Sequence, residues 1–348
     1  MVIKMQNIWK KNTKLMLILL LDIFIISGAT YAATTMYQSN IVGYDNTISG
    51  LNSTNVQGAL DEVYSAATNY AAYNTRLEDV EDLIRANAGF HNSIFRGEDV
   101  SKYMPSSIVN GGDGSIYDRI AGTNGYSLFE DLYVGDYIVA NNVNATVNGL
   151  TWRIAGFDVY YLHGNQALTE HHAVIVPDEL LGSAVMNDSN TASGGYVGSK
   201  MYTTTLPSVL STYITPVFNS HVLSHATLLT RGIGTTLYNK RGTNTGASNA
   251  WEWKSDKINL MNEVQITGNA AISSNFFDVS SDTSQFPLFR LRPEFKIAYN
   301  NTTHSTSART WYWLRTIVTA YEFAYFNFYI DCADANTSMG IRPYFYIG

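Results

Sequence analysis

Glu170-His171-His172 with His163 upstream, and His221 with His225 four residues on, are the groupings in this chain whose side chains could hold a catalytic metal ion. A histidine pair at i and i+4 on a helix is the zinc-hydrolase arrangement, because it turns two imidazoles to one face with a glutamate base between them. Here Val222-Leu223-Ser224 supplies no such base, and the upstream group lacks the helical or hairpin spacing that would converge three ligands. The spacing predicts satisfied core or surface histidines and no metal. Gly111-Gly112-Asp113-Gly114 has the composition of a calcium loop without its full set of ligands, and predicts a turn. Nucleophilic and phosphate chemistry are also poorly supported. No Gly-x-Ser-x-Gly elbow and no phosphate-cradling glycine loop occurs. The single cysteine, Cys332, falls on what alternation makes the core side of a strand. The missing constellations point away from an enzyme, and no cofactor is expected.

Binding chemistry is better represented. Trp311 to Gly348 holds twelve aromatic residues in thirty-eight, in a chain that is 13% aromatic overall. Between Trp311-Tyr312-Trp313-Leu314-Arg315 and Gly340-Ile341-Arg342-Pro343-Tyr344-Phe345, apolar residues alternate with Tyr, Asn and Asp. A period of two is the strand signature, since successive side chains point to opposite faces. Ala324, Phe326, Phe328, Ile330 and Cys332 are expected to face a core, and Tyr325, Asn327, Tyr329 and Asp331 to face outward. Such an outward row combines rigid amphipathic contact area with adaptable hydrogen bonding, the make-up of a recognition surface.

The elements that must carry this surface are legible in outline. At 348 residues the chain has room for one large domain and accessories. Only 15% of residues are charged and the formal net charge is −7, so no basic patch suggests nucleic acid. Twenty-four Tyr and twenty-six Gly, with abundant Asn, Thr and Ser, describe an uncharged polar surface over a β-rich core. One cysteine excludes an internal disulfide framework.

Residues 1–33 resemble an export signal: Lys4, Lys10, Lys11 and Lys14 precede the apolar stretch Leu15 to Gly28, and Thr30-Tyr31-Ala32-Ala33 offers a small-residue cleavage site. The stretch is short for a membrane span and contains Asp22, which favours a cleaved signal over a retained membrane anchor. Either places the remainder outside the cytoplasm, extracellular or at the cell surface. After a linker at 34–53, Thr54-Asn55-Val56-Gln57 has a capping-box pattern that predicts a helical stalk over 54–88. Val56, Leu60, Val63, Ala67 and Tyr70 step by four and three, and Tyr73, Leu77, Val80 and Ile84 resume after a phase slip. With Glu78, Asp79, Glu81 and Asp82 on the remaining surface, the seam predicts a coiled coil able to form a homo-oligomer. Residues 89–130 are rich in Gly, Asn and Ser and predict a loop-rich connector. From 131 to 348 the pattern is α+β: strands at Tyr133 to Val139, Thr151 to Tyr160 and Ala173 to Pro177, and helical spacing from Leu206 to His225 and from Lys257 to Val264.

Several phrases within 131–348 occur together and in order: Trp152-Arg153-Ile154-Ala155-Gly156-Phe157-Asp158, His171-His172-Ala173-Val174-Ile175-Val176-Pro177-Asp178, Gly194-Gly195-Tyr196-Val197-Gly198-Ser199, Leu260-Met261-Asn262-Glu263-Val264, Phe286-Pro287-Leu288-Phe289-Arg290-Leu291-Arg292-Pro293, Trp313-Leu314-Arg315 and Gly340-Ile341-Arg342-Pro343. In these the chain resembles the target proteins of diversity-generating retroelements of gut bacteria and their phages. The resemblance implies a C-type-lectin-like domain of the formylglycine-generating-enzyme type, with a variable segment at 311–348 rewritten by an error-prone reverse transcriptase. It implies a variable, ligand-contacting role for Tyr321, Tyr325, Asn327, Tyr329, Asp331, Asp334, Asn336 and Thr337. It implies a framework role for Trp313, Arg315, Gly340, Arg342 and Pro343. The expected partner is an extracellular protein or glycan. The oxidative enzymes of this fold use paired cysteines, which one cysteine cannot supply. A phage adhesin or tail-tip protein with the same head is the alternative function, and a metal-dependent or oxidative enzyme a more distant one.

Overall fold

The computed structural model describes residues 43, 45, 47, 49–85, 87–162, 168–234, 248–275, 278, 284–300 and 309–348. The expected leader at 1–33, most of the linker and His163 lie outside the described residues. The chain divides into two units, Met1–Asp79 and Val80–Gly348.

The first unit contains most of a 30-residue helix, Val56–Arg85. Its cap is Asn55 rather than Thr54: Asn55 Oδ1 accepts the Gly58 N–H at 2.8 Å. Asn is at least as good a cap as Thr, and the helix starts one residue later than the capping-box pattern predicts. Gln57 Nε2 donates to Asp61 Oδ1 at 2.9 Å, one turn on. No helix among the described residues is long and apolar enough to cross a membrane.

The second unit is mixed α+β, mostly sheet towards its C-terminal end. In chain order its strands are β1 (Tyr137–Val139), β2 (Thr151–Phe157), β3 (Ala173–Pro177), β4 (Ser183–Ala184), β5 (Val222–Leu223), β6 (His225–Ile233), β7 (Ser248–Asp256), β8 (Asn259–Leu260), β9 (Ala298–Tyr299), β10 (Arg309–Thr310), β11 (Tyr312–Ile317), β12 (Glu322–Asn327), β13 (Tyr329–Asp334), β14 (Met339–Gly340) and β15 (Pro343–Ile347). One sheet runs β1-β2-β3-β15-β5, with β8 also pairing β15, and a second runs β13-β12-β11-β14-β4. The strands β6 and β7 form a separate ribbon.

The last segment of the chain therefore builds four of the five strands of one sheet and a central strand of the other. Burial explains the sequence of both. Every residue of β2, β3, β11 and β15 is buried, which is why these strands are near-continuous apolar or aromatic runs with no polar face.

The strands expected at Tyr133 to Val139 and Thr151 to Tyr160 are the shorter β1 and β2, and three further expectations change. Residues 89–130 are no mere connector: they include the helix Ile116–Ala121, and Val100, Met104, Ile116, Ile120 and Phe129 belong to the same core as the sheets. The helix expected from Leu206 to His225 is a helical stretch from Met201 to Phe218, in which π turns alternate with α turns. It stops at Asn219 (φ +48°), so that His221 closes a short 3-10 turn and His225 opens β6. Between Lys257 and Val264, pairing of β8 with β15 overrides helical spacing. A short helix, Glu263–Thr267, then begins from a capping box made by Asn262 and Gln265.

Candidate binding surface

The alternating run is two strands, not one. β12 and β13 pair antiparallel with Asn327 opposite Tyr329, so Phe328 alone turns the chain. Phe328 takes φ +63°, the left-handed region that a bulky residue rarely adopts. Because the turn is a single residue, parity survives the reversal. Tyr325 stands opposite Asp331 and Asn327 opposite Tyr329, so the predicted row does share one face, where cross-strand neighbours touch. Trp313 of β11 pairs with Tyr325 and extends that face inward, and Trp311 precedes it by two residues.

Exposure along the row departs from simple alternation. Phe328, expected on the core side, is 62% exposed at the tip, beside Tyr329 at 60%. Tyr325, expected outward, is only 7% exposed, because the Trp311 ring stacks over it at 5.5 Å and 25°. Trp311 is itself 49% exposed. The Tyr325 hydroxyl donates to Asp331 Oδ2 at 3.3 Å. Burial, with the Asp331 carboxylate adding to it, holds the Tyr325 phenol above its usual pKa. Asn327 and Asp331 are half-buried. Cys332, expected in the core, is also half-buried, and its Sγ donates to Glu322 Oε1 at 3.4 Å. Ala324, Phe326 and Ile330 are buried as expected.

Trp311, Tyr325, Phe328 and Tyr329 thus form an aromatic surface around Asn327 and Asp331 at one end of the hairpin. The other four predicted contact residues stand at the opposite end, where Glu322 pairs with Asp334. Asp334 and Asn336 are exposed there, and Tyr321 and Thr337 half-buried. The Ala335 N–H donates to Tyr321 O at 2.8 Å and to Asn190 Oδ1 at 3.1 Å, and the Asn187 N–H to Ala335 O at 2.9 Å, which ties this end to the segment that follows β4. From Tyr329 to Asp334 is five strand steps, roughly 17 Å. The eight residues are two groups on one hairpin, not one contiguous patch. Trp311 and Phe328, which composition alone did not single out as contacts, belong to the tip group; the density of aromatics around them was the available signal.

The five residues expected as framework are all buried. Trp313 Nε1 donates to Ala184 O at 2.9 Å. Arg315 Nη1 donates to Leu260 O at 2.8 Å and Gln265 Oε1 at 3.1 Å, spanning to the helix Glu263–Thr267. Arg342, between β14 and β15, donates from Nε to Pro177 O at 2.8 Å and from Nη1 to Lys296 O at 3.0 Å. Pro343 opens β15, a position where its missing N–H is tolerated. Gly340 donates its N–H to Trp311 O at 3.0 Å, and a Cβ there would stand 2.1 Å from Leu180 Cδ1 and 2.7 Å from Trp311 O. The absence of a side chain at 340 is what lets β14 approach the Trp311 backbone.

The described histidines form no metal-ligating cluster. Among the described residues no group of three or more His, Cys, Asp or Glu could hold a metal ion. His171 Nδ1 lies 2.7 Å from Asp158 Oδ2. His221 stacks on Tyr117 at 3.4 Å, contacts Gly348 O through Nδ1 at 2.9 Å and lines a cleft of about 600 Å³ with Asp118 and Phe218. His172 and His225 are buried against Tyr346, at ring distances of 5.3 and 5.1 Å. Gly111-Gly112-Asp113-Gly114 is a turn in which Asp113 Oδ1 accepts the Ser115 N–H at 2.9 Å and hydroxyl at 2.7 Å.

Burial, reinforced by His172 and Arg315, lowers the His225 pKa to about 4. The unfolded chain titrates near 6.5, so between about pH 6.5 and 4 it binds a proton that the folded chain refuses, and stability falls as pH falls. The contribution is up to about 3 kcal/mol. Urea denaturation at pH 7.5 and pH 4.5 is expected to show a larger loss for the native protein than for His225→Phe; equal losses would refute the assignment.

No family model, curated protein or solved structure matches the chain.

Proposed function

We propose that this is an exported binding protein that grips a partner protein with the aromatic tip of its C-terminal hairpin. In this proposal the second unit is a lectin-like head of the formylglycine-generating-enzyme type, displayed outside the cytoplasm on a coiled-coil stalk. The observation that carries it is Phe328. A bulky aromatic ring sits in left-handed backbone at a strand turn, a position glycine or asparagine fills without strain, and most of the ring is exposed. Folding alone does not favour that choice; contact with something else does.

Trp, Tyr and Phe are the residue types that anchor protein interfaces, and the tip presents three of them exposed beside Asn327 and Asp331. A projecting aromatic tip suits insertion into a partner's pocket more than enclosure of a sugar, which calls for a concave site. From Thr316 to Ile341 the chain has no Lys, Arg or His, which gives a nucleic acid no cationic phosphate contact along this segment. Diversification by a retroelement belongs to the same proposal. Sequencing the 3′ end of the gene across sibling cells is expected to show substitutions concentrated at Tyr321, Tyr325, Asn327, Tyr329, Asp331, Asp334, Asn336 and Thr337 and none at Trp313, Arg315, Gly340, Arg342 or Pro343. An invariant segment beside no reverse transcriptase gene would end that part of the proposal.

A further inference from the structure

The helix Val56–Arg85 carries an apolar seam that is exposed at Leu60 and from Tyr70 to Val80. Leu60, Tyr70, Tyr73, Leu77 and Val80 are exposed, and Val56, Val63 and Ala67 are half-buried. Steps of four and three place Leu60, Ala67 and Leu77 at heptad position a, and Val56, Val63, Tyr70, Tyr73 and Val80 at d. The two successive steps of three around Tyr70 amount to a three-residue insertion, which overwinds a coiled coil locally without ending it. In this frame the flanking e and g positions carry just two charged residues, Arg76 at g and Glu81 at e. The other charges of the helix, Asp61, Glu62, Glu78, Asp79, Asp82 and Arg85, fall at b, c and f, away from the seam.

We infer that this helix joins the same helix of a second copy in a parallel, in-register coiled coil, with position 76 of each chain facing position 81 of the other. The spacing decides the orientation. In a parallel coil a g residue meets the e residue five positions later on its partner, and 76 to 81 is that interval, occupied by opposite charges. In an antiparallel coil g faces g and e faces e, which gives Arg76 no carboxylate at a flanking position. Length is sufficient, since 30 residues extend about 45 Å. In a parallel coil both chains continue into the second unit from the same end of the helix, which puts two copies of that unit in one assembly. The inference rests on the stalk part of the proposal and is independent of what the tip binds.

The test uses the full chain. Leu60→Cys and, separately, Leu77→Cys in a Cys332→Ser background are oxidised and run on non-reducing gels, and self-association is followed by sedimentation equilibrium. Both variants are expected to cross-link into dimers, because a positions towards each end of the seam meet their own counterparts. Arg76→Glu is expected to weaken association roughly fivefold, and Arg76→Glu with Glu81→Arg to restore it. Dimers that cross-link at neither position overturn the parallel register while leaving an oligomeric stalk. Association unchanged in Arg76→Glu overturns the charge pairing. A chain that stays monomeric at about 0.1 mM overturns the inference and the stalk together.

Discussion

Asp178→Ala is expected to destabilise the second unit by about 3–5 kcal/mol, the scale on which a buried ion pair fails when one partner is removed. Arg153 is 7% exposed and Asp178 3%. Arg153 Nε donates to both carboxylate oxygens, at 2.9 and 3.1 Å, and Nη2 donates to Oδ2. Nη1 donates to Gly135 O at 2.6 Å, and the guanidinium lies over the Phe295 ring at 4.3 Å. Without Asp178 this cation would stay buried with the Gly135 carbonyl and the Phe295 and Tyr137 rings as neighbours. The damage should spread, because Pro177, the residue before Asp178, accepts the Arg342 Nε donor at the crossing between the two sheets. Replacing both partners, Arg153→Met with Asp178→Leu, is expected to recover most of the loss, since two apolar side chains carry no desolvation penalty. Urea denaturation followed by tryptophan fluorescence measures both variants. A single-variant cost below about 1 kcal/mol would mean that water reaches the pair.

Phe328→Gly should act in the opposite sense on stability and strongly on binding. Glycine adopts φ +63° without the clash that Phe328 bears, so the fold is expected to be as stable as the native protein or about 1 kcal/mol more stable. Losing an exposed aromatic anchor at the centre of a contact costs about 2 kcal/mol, or about 30-fold in affinity. Titration of the purified protein on the intact cells that it labels, beside a thermal melt, reads both quantities. Tyr329→Ala should weaken binding similarly with an unchanged melt. Tyr325→Ala should lower the melt as well, because its ring packs beneath Trp311. Binding that survives Phe328→Gly and Tyr329→Ala would remove the tip from the interface. A melt that falls sharply in Phe328→Gly would mean that the ring supports the hairpin, contrary to its exposure.

Sequence alone determined the α+β character, a strand beginning at Thr151 and one at Ala173 to Pro177, a long helix opening near residue 54, and the parity of the terminal run. Each is a local property: period, capping chemistry or an unbroken apolar run is written in neighbouring residues. Tertiary structure decided the rest. Alternation assigned Tyr325, Asn327, Tyr329 and Asp331 to one face but could not reveal the reversal at Phe328, since no glycine, asparagine-glycine pair or proline marks it. Nor could it reveal that Trp311 covers Tyr325, or that the eight expected contacts divide between the two ends of a hairpin. Residues 89–130 read as a loop-rich connector because Gly, Asn and Ser dominate their turns, yet Ile116, Ile120 and Phe129 join a core most of whose members lie further along the chain. The physical reason is the same in each case. Exposure depends on which distant segment packs against a residue, and that information is absent from the residue's own neighbours.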